Sequence, residues 1–184
     1  LMLSLRLKRV ISPGEAGFLV ACIRRFGCYA GTGESTRRMN STFENTLSQI
    51  YWKRFQQFGS TPQGSFWATE ARQALRFEII LCEIDKLSGA EGFSLADIGC
   101  GYGALVDHLL KRPASFVRSY IGYDISDQLI AACKRRFEQR WASFICSPAP
   151  RQEQDFSVMS GPFNLAATRD VVLWQNYVFD ALQA

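Results

Sequence analysis

From Ser41 onward the order of apolar and polar residues changes period several times, and each change marks an element. Phe43, Leu47, Ile50, Tyr51, Phe55 and Phe58 recur three and four apart, which predicts an amphipathic helix to about Phe58 that Gly59 stops. Ser41 and Glu44 have capping-box spacing at its start. A second helix is predicted over about 66–87, with Ala71, Leu75, Ile79, Leu81, Ile84 and Leu87 as its stripe. Short apolar runs then alternate with helical patterns. Strands are predicted at 93–98, 117–124, 141–146 and 156–160, and helices at about 104–111, 126–140 and 170–182, the last capped by Thr168. Alternation of strand and helix predicts an α/β domain with a mainly parallel sheet and helices on both faces.

Residues 1–38 are different. They hold seven Lys/Arg and two Glu, a net charge of +5, with no sustained period, whereas the remaining 146 residues hold fourteen Lys/Arg and fifteen Asp/Glu. We therefore read 1–38 as a poorly structured basic extension, with Met39 a candidate start, and 39–184 as the domain proper. A nearly neutral domain gives no support for a nucleic-acid partner. No apolar run reaches the ~20 residues that span a bilayer, so no membrane partner is expected and a cytoplasmic location is. The six cysteines include no C-x-x-C pair and there is one histidine, so no metal site is predicted; free, mostly buried thiols are.

The chemistry concentrates where the first of these strands turns into a helix. The string Asp97-Ile98-Gly99-Cys100-Gly101-Tyr102-Gly103 ends an apolar run in an acid and then alternates three glycines. Glycine lets a loop take positive φ and lets a ligand approach the backbone. Asp124 closes the next predicted strand, 21 residues after Gly103, where a carboxylate can accept both hydroxyls of a ribose. The string resembles the D-x-G-x-G-x-G motif of Rossmann-like, S-adenosylmethionine (SAM)-dependent methyltransferases of class I. Tyr123-Asp124-Ile125-Ser126 resembles their second motif. Asp155-Phe156-Ser157-Val158-Met159-Ser160-Gly161-Pro162-Phe163-Asn164 resembles the fourth strand of a bacterial, small-molecule group. Upstream, Tyr51, Trp67 and Gln73-x-x-Arg76-Phe77 resemble that group's N-terminal helical cap.

The resemblance implies SAM as cofactor and methyl transfer to a small-molecule acceptor. It implies that Gly99, Cys100, Gly101 and Gly103 admit the methionine end. Asp97 is implied to orient the amino group, Arg76 to pair with the carboxylate, Asp124 to hold the ribose, and Ile125 to pack on the adenine. Ser147 stands where the family usually has an acid for the adenine amino group. Trp67, Ser160 and Asn164 fall where an acceptor would lie. No catalytic base stands out, and His108 lies in a predicted helix interior. The family sheet has seven strands in the order 3-2-1-4-5-7-6. Four are predicted here, so a sheet cut short after strand four is expected. Two other readings stay open: a non-catalytic SAM-binding domain, and a nicotinamide-dependent oxidoreductase.

Overall fold

The computed structural model describes residues 7–10, 18–24, 34–88, 91–112, 117–161, 165 and 168–183. In chain order the elements are β1 (Leu7–Val10), β2 (Phe18–Arg24), α1 (Glu34–Phe58), a 3-10 turn at Pro62–Ser65, α2 (Glu70–Leu87), β3 (Phe93–Ile98), α3 (Ala104–Leu109), β4 (Val117–Asp124), α4 (Asp127–Arg136), β5 (Ala142–Cys146), β6 (Phe156–Met159) and α5 (Val171–Gln183). The sheet order is β1-β2-β6-β3-β4-β5. Strands β6, β3, β4 and β5 are parallel, as alternation predicts. After β5 the chain crosses back to the far side of β3, so the strand order reverses between β3 and β6. A cleft opens at the carboxyl ends of the strands at such a reversal.

The two N-terminal strands depart from the sequence reading. β1 and β2 pair antiparallel, and β2 pairs antiparallel with β6, with Ala21 opposite Met159. Every residue of β6 is buried, and an apolar strand of that kind left at an edge invites pairing with another chain. Here β2 supplies the neighbour. α1 also begins earlier than expected, at Glu34, so Ser41 lies inside the helix and not at its cap.

Most of the core lies on one face of the sheet. Phe77, Ile80, Leu81 and Ile84 of α2 meet Leu105, Val106 and Leu109 of α3, Ile130 and Cys133 of α4, and Leu95, Tyr120, Phe144, Phe156 and Val158 of the strands. The buried face of α2 is therefore 73-77-80-81-84. Leu75 and Leu87, placed on the apolar stripe by periodicity, are 62% and 40% exposed. The predicted stripe and the buried face share Leu81 and Ile84, and contact with the sheet turns the helix toward Phe77 and Ile80. A smaller set, Ala96, Ile121 and Tyr123 with Ile145, lies on the other face. A third cluster joins α1 to α5 through Phe43, Leu47 and Tyr177, with Trp174 against Phe43.

Local chemistry sets the helix ends. α2 starts at Glu70, later than periodicity suggests, because Thr69 caps it by accepting from Arg72 N at 3.2 Å. Ser126 caps α4 as expected, but α4 stops at Arg136 because Phe137 turns inward and stacks on Phe144 at 5.6 Å. At α5 the cap is Asp170, whose Oδ1 accepts from Val172 N and Leu173 N, each at 3.0 Å. Thr168 instead accepts from Asp170 N. Cys100 and Cys133 are buried, whereas Cys82 and Cys146 are exposed, contrary to expectation. Cys82 falls on the outer side of α2, away from the sheet-facing positions.

Candidate active site

The glycine loop is tied down from beneath. Gly99 N and Cys100 N both donate to the carbonyl of Tyr123, at 2.7 and 3.0 Å, which hangs the loop on the end of β4. Gly99, Gly101 and Gly103 have φ of 74°, 57° and 82°. These are left-handed values that residues with a Cβ rarely adopt. Gly101 N donates to Oδ2 of Asp124 at 2.9 Å, and Ser126 N donates to Oδ1 at 2.9 Å. One carboxylate thus joins the glycine loop to the start of α4. Burial raises the Asp124 pKa, and its backbone donors oppose that shift.

Asp97 is 4% exposed and accepts from the hydroxyl of Tyr120 at 2.7 Å. Burial is the dominant influence and lifts its pKa from the ordinary carboxylate range to about 7; the Tyr120 hydrogen bond pulls the other way. A raised carboxyl pKa stabilises the fold fully below the unfolded value near 4, and that contribution is lost as pH rises through about 7. Cys100 is no nucleophile: its thiol is pushed up, first by its neighbour Cys133 and then by burial.

A cavity of about 220 Å³ opens above the loop. Its floor is Asp97, Gly99, Cys100 and Gly101 with the strand ends Asp124, Ser147 and Ser160. Ile125 and Leu129 line one side, and Trp67, Gln73 and Phe77 come from the cap. α1 and α5 contribute Glu44, Leu47, Ser48, Tyr51 and Tyr177. Neighbouring strands lie about 4.8 Å apart. Ser160, Asp97, Asp124 and Ser147 come from the neighbouring strands β6, β3, β4 and β5 or the residue just past them, with Asp97 opposite Gly122 and Val158 and so set back from the others, and they span about 14 Å across the cleft.

Most of the residues singled out from sequence meet in this cavity: Asp97, Gly99, Cys100, Gly101, Asp124, Ile125, Ser147, Trp67 and Ser160. Two do not line it. Gly103 faces the core, where an added Cβ would stand 2.4 Å from the Phe137 ring. Arg76 lies behind the wall, donating to the carbonyl of Ser160 at 2.8 Å with its guanidinium 4.5 Å over the Trp67 ring. Burial lowers its pKa to about 10. Asn164 lies outside the described residues. His108 reaches Glu78 at 2.6 Å on the outer surface of α2 and α3, away from the cavity.

Sequence reasoning missed four contributors. Tyr120, which supports Asp97, reads only as an apolar strand residue. Tyr51 reads as a position on the stripe of the first helix and as part of the resembled cap, Glu44 as a capping residue, and Tyr177 goes unmarked. None of the three reads as lining a shared cavity, because that depends on α1 meeting α5.

A mainly parallel sheet with reversed strand order, a glycine loop at the reversal and carboxylates on two adjacent strands define a Rossmann-like α/β domain. Residues 96–183 match the family described as methyltransferase domain. The curated protein Rv1506c of Mycobacterium tuberculosis, provisionally named a methyltransferase, is 45% identical over 80 residues, 43% of this chain and 47% of that relative. Residues 96–183 are thus similar in sequence to methyltransferase domains. The match spans about half the length of that relative. Two solved structures overlap it partially. Magnesium protoporphyrin IX methyltransferase from Synechocystis is 12% identical, with a TM-score of 0.42 over 59% of this chain and 51% of its own. The plantazolicin methyltransferase BpumL is 19% identical, with a TM-score of 0.41 over 63% of this chain and 43% of its own.

Proposed function

We propose that the protein is a SAM-dependent methyltransferase acting on a small-molecule acceptor, and that residues 39–184 are its functional unit. The observation that carries this reading is the sign of the cleft. Asp97 and Asp124 are both buried in its floor, and no Lys, Arg or His side chain lines it among the described residues. A dinucleotide would bring its pyrophosphate against these two carboxylates, a costly arrangement in a low-dielectric site. SAM is cationic at sulfur and nitrogen and fits that charge.

In this reading Asp124 accepts from the ribose hydroxyls, using lone pairs left over from Gly101 N and Ser126 N. Asp97 holds the amino group, with Tyr120 fixing its carboxylate. The left-handed glycines 99 and 101 open the backbone to the methionine end, and Ile125 and Leu129 cover the base beside Ser147. Gly103 serves the fold, by leaving room for Phe137. Arg76 acts from behind the wall by holding the β6 end. When bound, SAM supplies a methyl group already activated by its sulfonium. What remains for this chain is to align the acceptor and exclude water, tasks suited to the α1–α5 wall.

The state of Asp97 makes this testable. An ammonium ligand needs the ionised carboxylate, so affinity for S-adenosylhomocysteine should climb between pH 6 and pH 8, by roughly tenfold per unit below the pKa. Calorimetry at pH 6, 7 and 8 measures it, and Asp97→Asn should flatten the profile. A flat wild-type profile would remove Asp97 from the amino-group site. The reading as a whole is tested by comparing S-adenosylhomocysteine with NAD as ligands.

A further inference from the structure

The floor of the cavity carries Asp97 and Asp124, and no Lys, Arg or His side chain lines it among the described residues. A ligand with an α-amino acid end brings a carboxylate of its own, which needs hydrogen-bond donors. The glycine loop has already used most of its backbone N–H groups. Gly99 and Cys100 donate to Tyr123, Gly101 to Asp124, and Gly103 to the carbonyl of Cys100 at 3.0 Å. Arg76, the cation that the sequence resemblance implies, donates to the Ser160 carbonyl and lies over Trp67. About one turn earlier on α2 stands Gln73, on the buried face of the helix.

Gln73 is 6% exposed and lines the cavity. Its Oε1 accepts from the Tyr102 hydroxyl at 3.1 Å, which ties it to the glycine loop. The amide NH2 group is left with no partner among the described residues and with the cavity as its open side. The negative floor favours this orientation, because it draws the NH2 end of the amide dipole and repels the carbonyl. We infer, on the methyltransferase reading of the floor, that Gln73 binds the carboxylate of the ligand's amino-acid end, and that Tyr102 is the positioning residue that fixes its amide. Asp97 then takes the ammonium and Gln73 the carboxylate. A neutral donor suits this cleft, since a cation beside Asp97 would compete with the ammonium for it.

A matched pair of ligands isolates the carboxylate. S-adenosyl-3-thiopropylamine is S-adenosylhomocysteine without its carboxylate, and keeps the nucleoside, sulfur and amine. Calorimetric titration of the full chain at pH 8, above the Asp97 pKa of about 7, gives the ratio of the two dissociation constants. The wild-type protein should prefer S-adenosylhomocysteine by about tenfold or more, the worth of a hydrogen bond to a charged group. Gln73→Met keeps the bulk and loses the donor, and should shrink that preference to about twofold or less while binding of the amine changes little. Gln73→Glu keeps an acceptor for Tyr102 but sets a negative oxygen against the carboxylate, and should reverse the preference; it carries the test if Gln73→Met does not fold. Tyr102→Phe releases the amide and should lower the preference to about threefold, a change in ratio that a purely structural role would not produce. An unchanged ratio in a folded Gln73 variant overturns the assignment of Gln73, and an unchanged ratio in Tyr102→Phe overturns that of Tyr102. Equal binding of the two ligands by the wild-type protein, or loss of both by a folded Gln73 variant, also overturns the inference. Binding of neither ligand by the wild-type protein instead overturns the methyltransferase reading.

Discussion

Asp124→Ala should lower the affinity for S-adenosylhomocysteine by about 100-fold or more, a larger loss than any other single substitution in the cleft. In the proposed reading the substitution removes two charge-assisted hydrogen bonds to ribose hydroxyls, each worth about 1.5–3 kcal/mol. The carboxylate also holds Gly101 N and Ser126 N at 2.9 Å each, so its removal loosens the glycine loop and the start of α4 together. Asp124→Asn separates the two effects. It keeps the shape and one acceptor oxygen but removes the charge, so a loss of about tenfold is expected. Calorimetric titration of the three proteins measures the series. An Asp124→Ala protein that is folded and binds as wild type would remove this residue from the ligand site.

The second large effect concerns folding. Gly103→Val should destabilise the protein by about 3 kcal/mol or more, read as a fall in the midpoint of chemical denaturation. At φ 82° a β-branched side chain is strained, at about 1–2 kcal/mol for the left-handed backbone alone. Its Cβ would also meet the Phe137 ring at 2.4 Å. That ring cannot swing aside cheaply, because it stacks on Phe144 at 5.6 Å and is 8% exposed. Gly101→Val is the instructive comparison. It shares the backbone strain, with φ 57°, but nothing lies within 4 Å of its added Cβ. It should destabilise less and impair ligand binding more. Equal destabilisation by both would mean that the Phe137 contact contributes nothing.

This contrast shows what the sequence does and does not carry. Three alternating glycines after an apolar run report that the backbone turns through left-handed conformations, but not which glycine faces the ligand and which the core. That depends on Phe137 leaving α4 early to pack on β5, a tertiary event that the apolar periodicity of 126–140 does not display. Strand positions and Asp124 were legible because a βαβ unit imposes its own spacing. The face of α2 was not, because Leu75 and Phe77 offer rival stripes and contact with the sheet decides between them. The partner of β6 was hidden for a similar reason. β2 finds its place through backbone pairing with a strand more than 130 residues away in sequence, and no local period records that. Tyr51, Tyr177 and Glu44 became site residues only when α1 met α5.

Whether the cleft is built for SAM is tested most directly by calorimetric titration of the full chain with S-adenosylhomocysteine and, separately, with NAD. Micromolar binding of S-adenosylhomocysteine with no measurable NAD binding is the predicted result. It would establish that the two buried carboxylates select a cationic, sulfur-bearing nucleoside. Binding of NAD in its place, or of neither ligand by a folded sample, would contradict it.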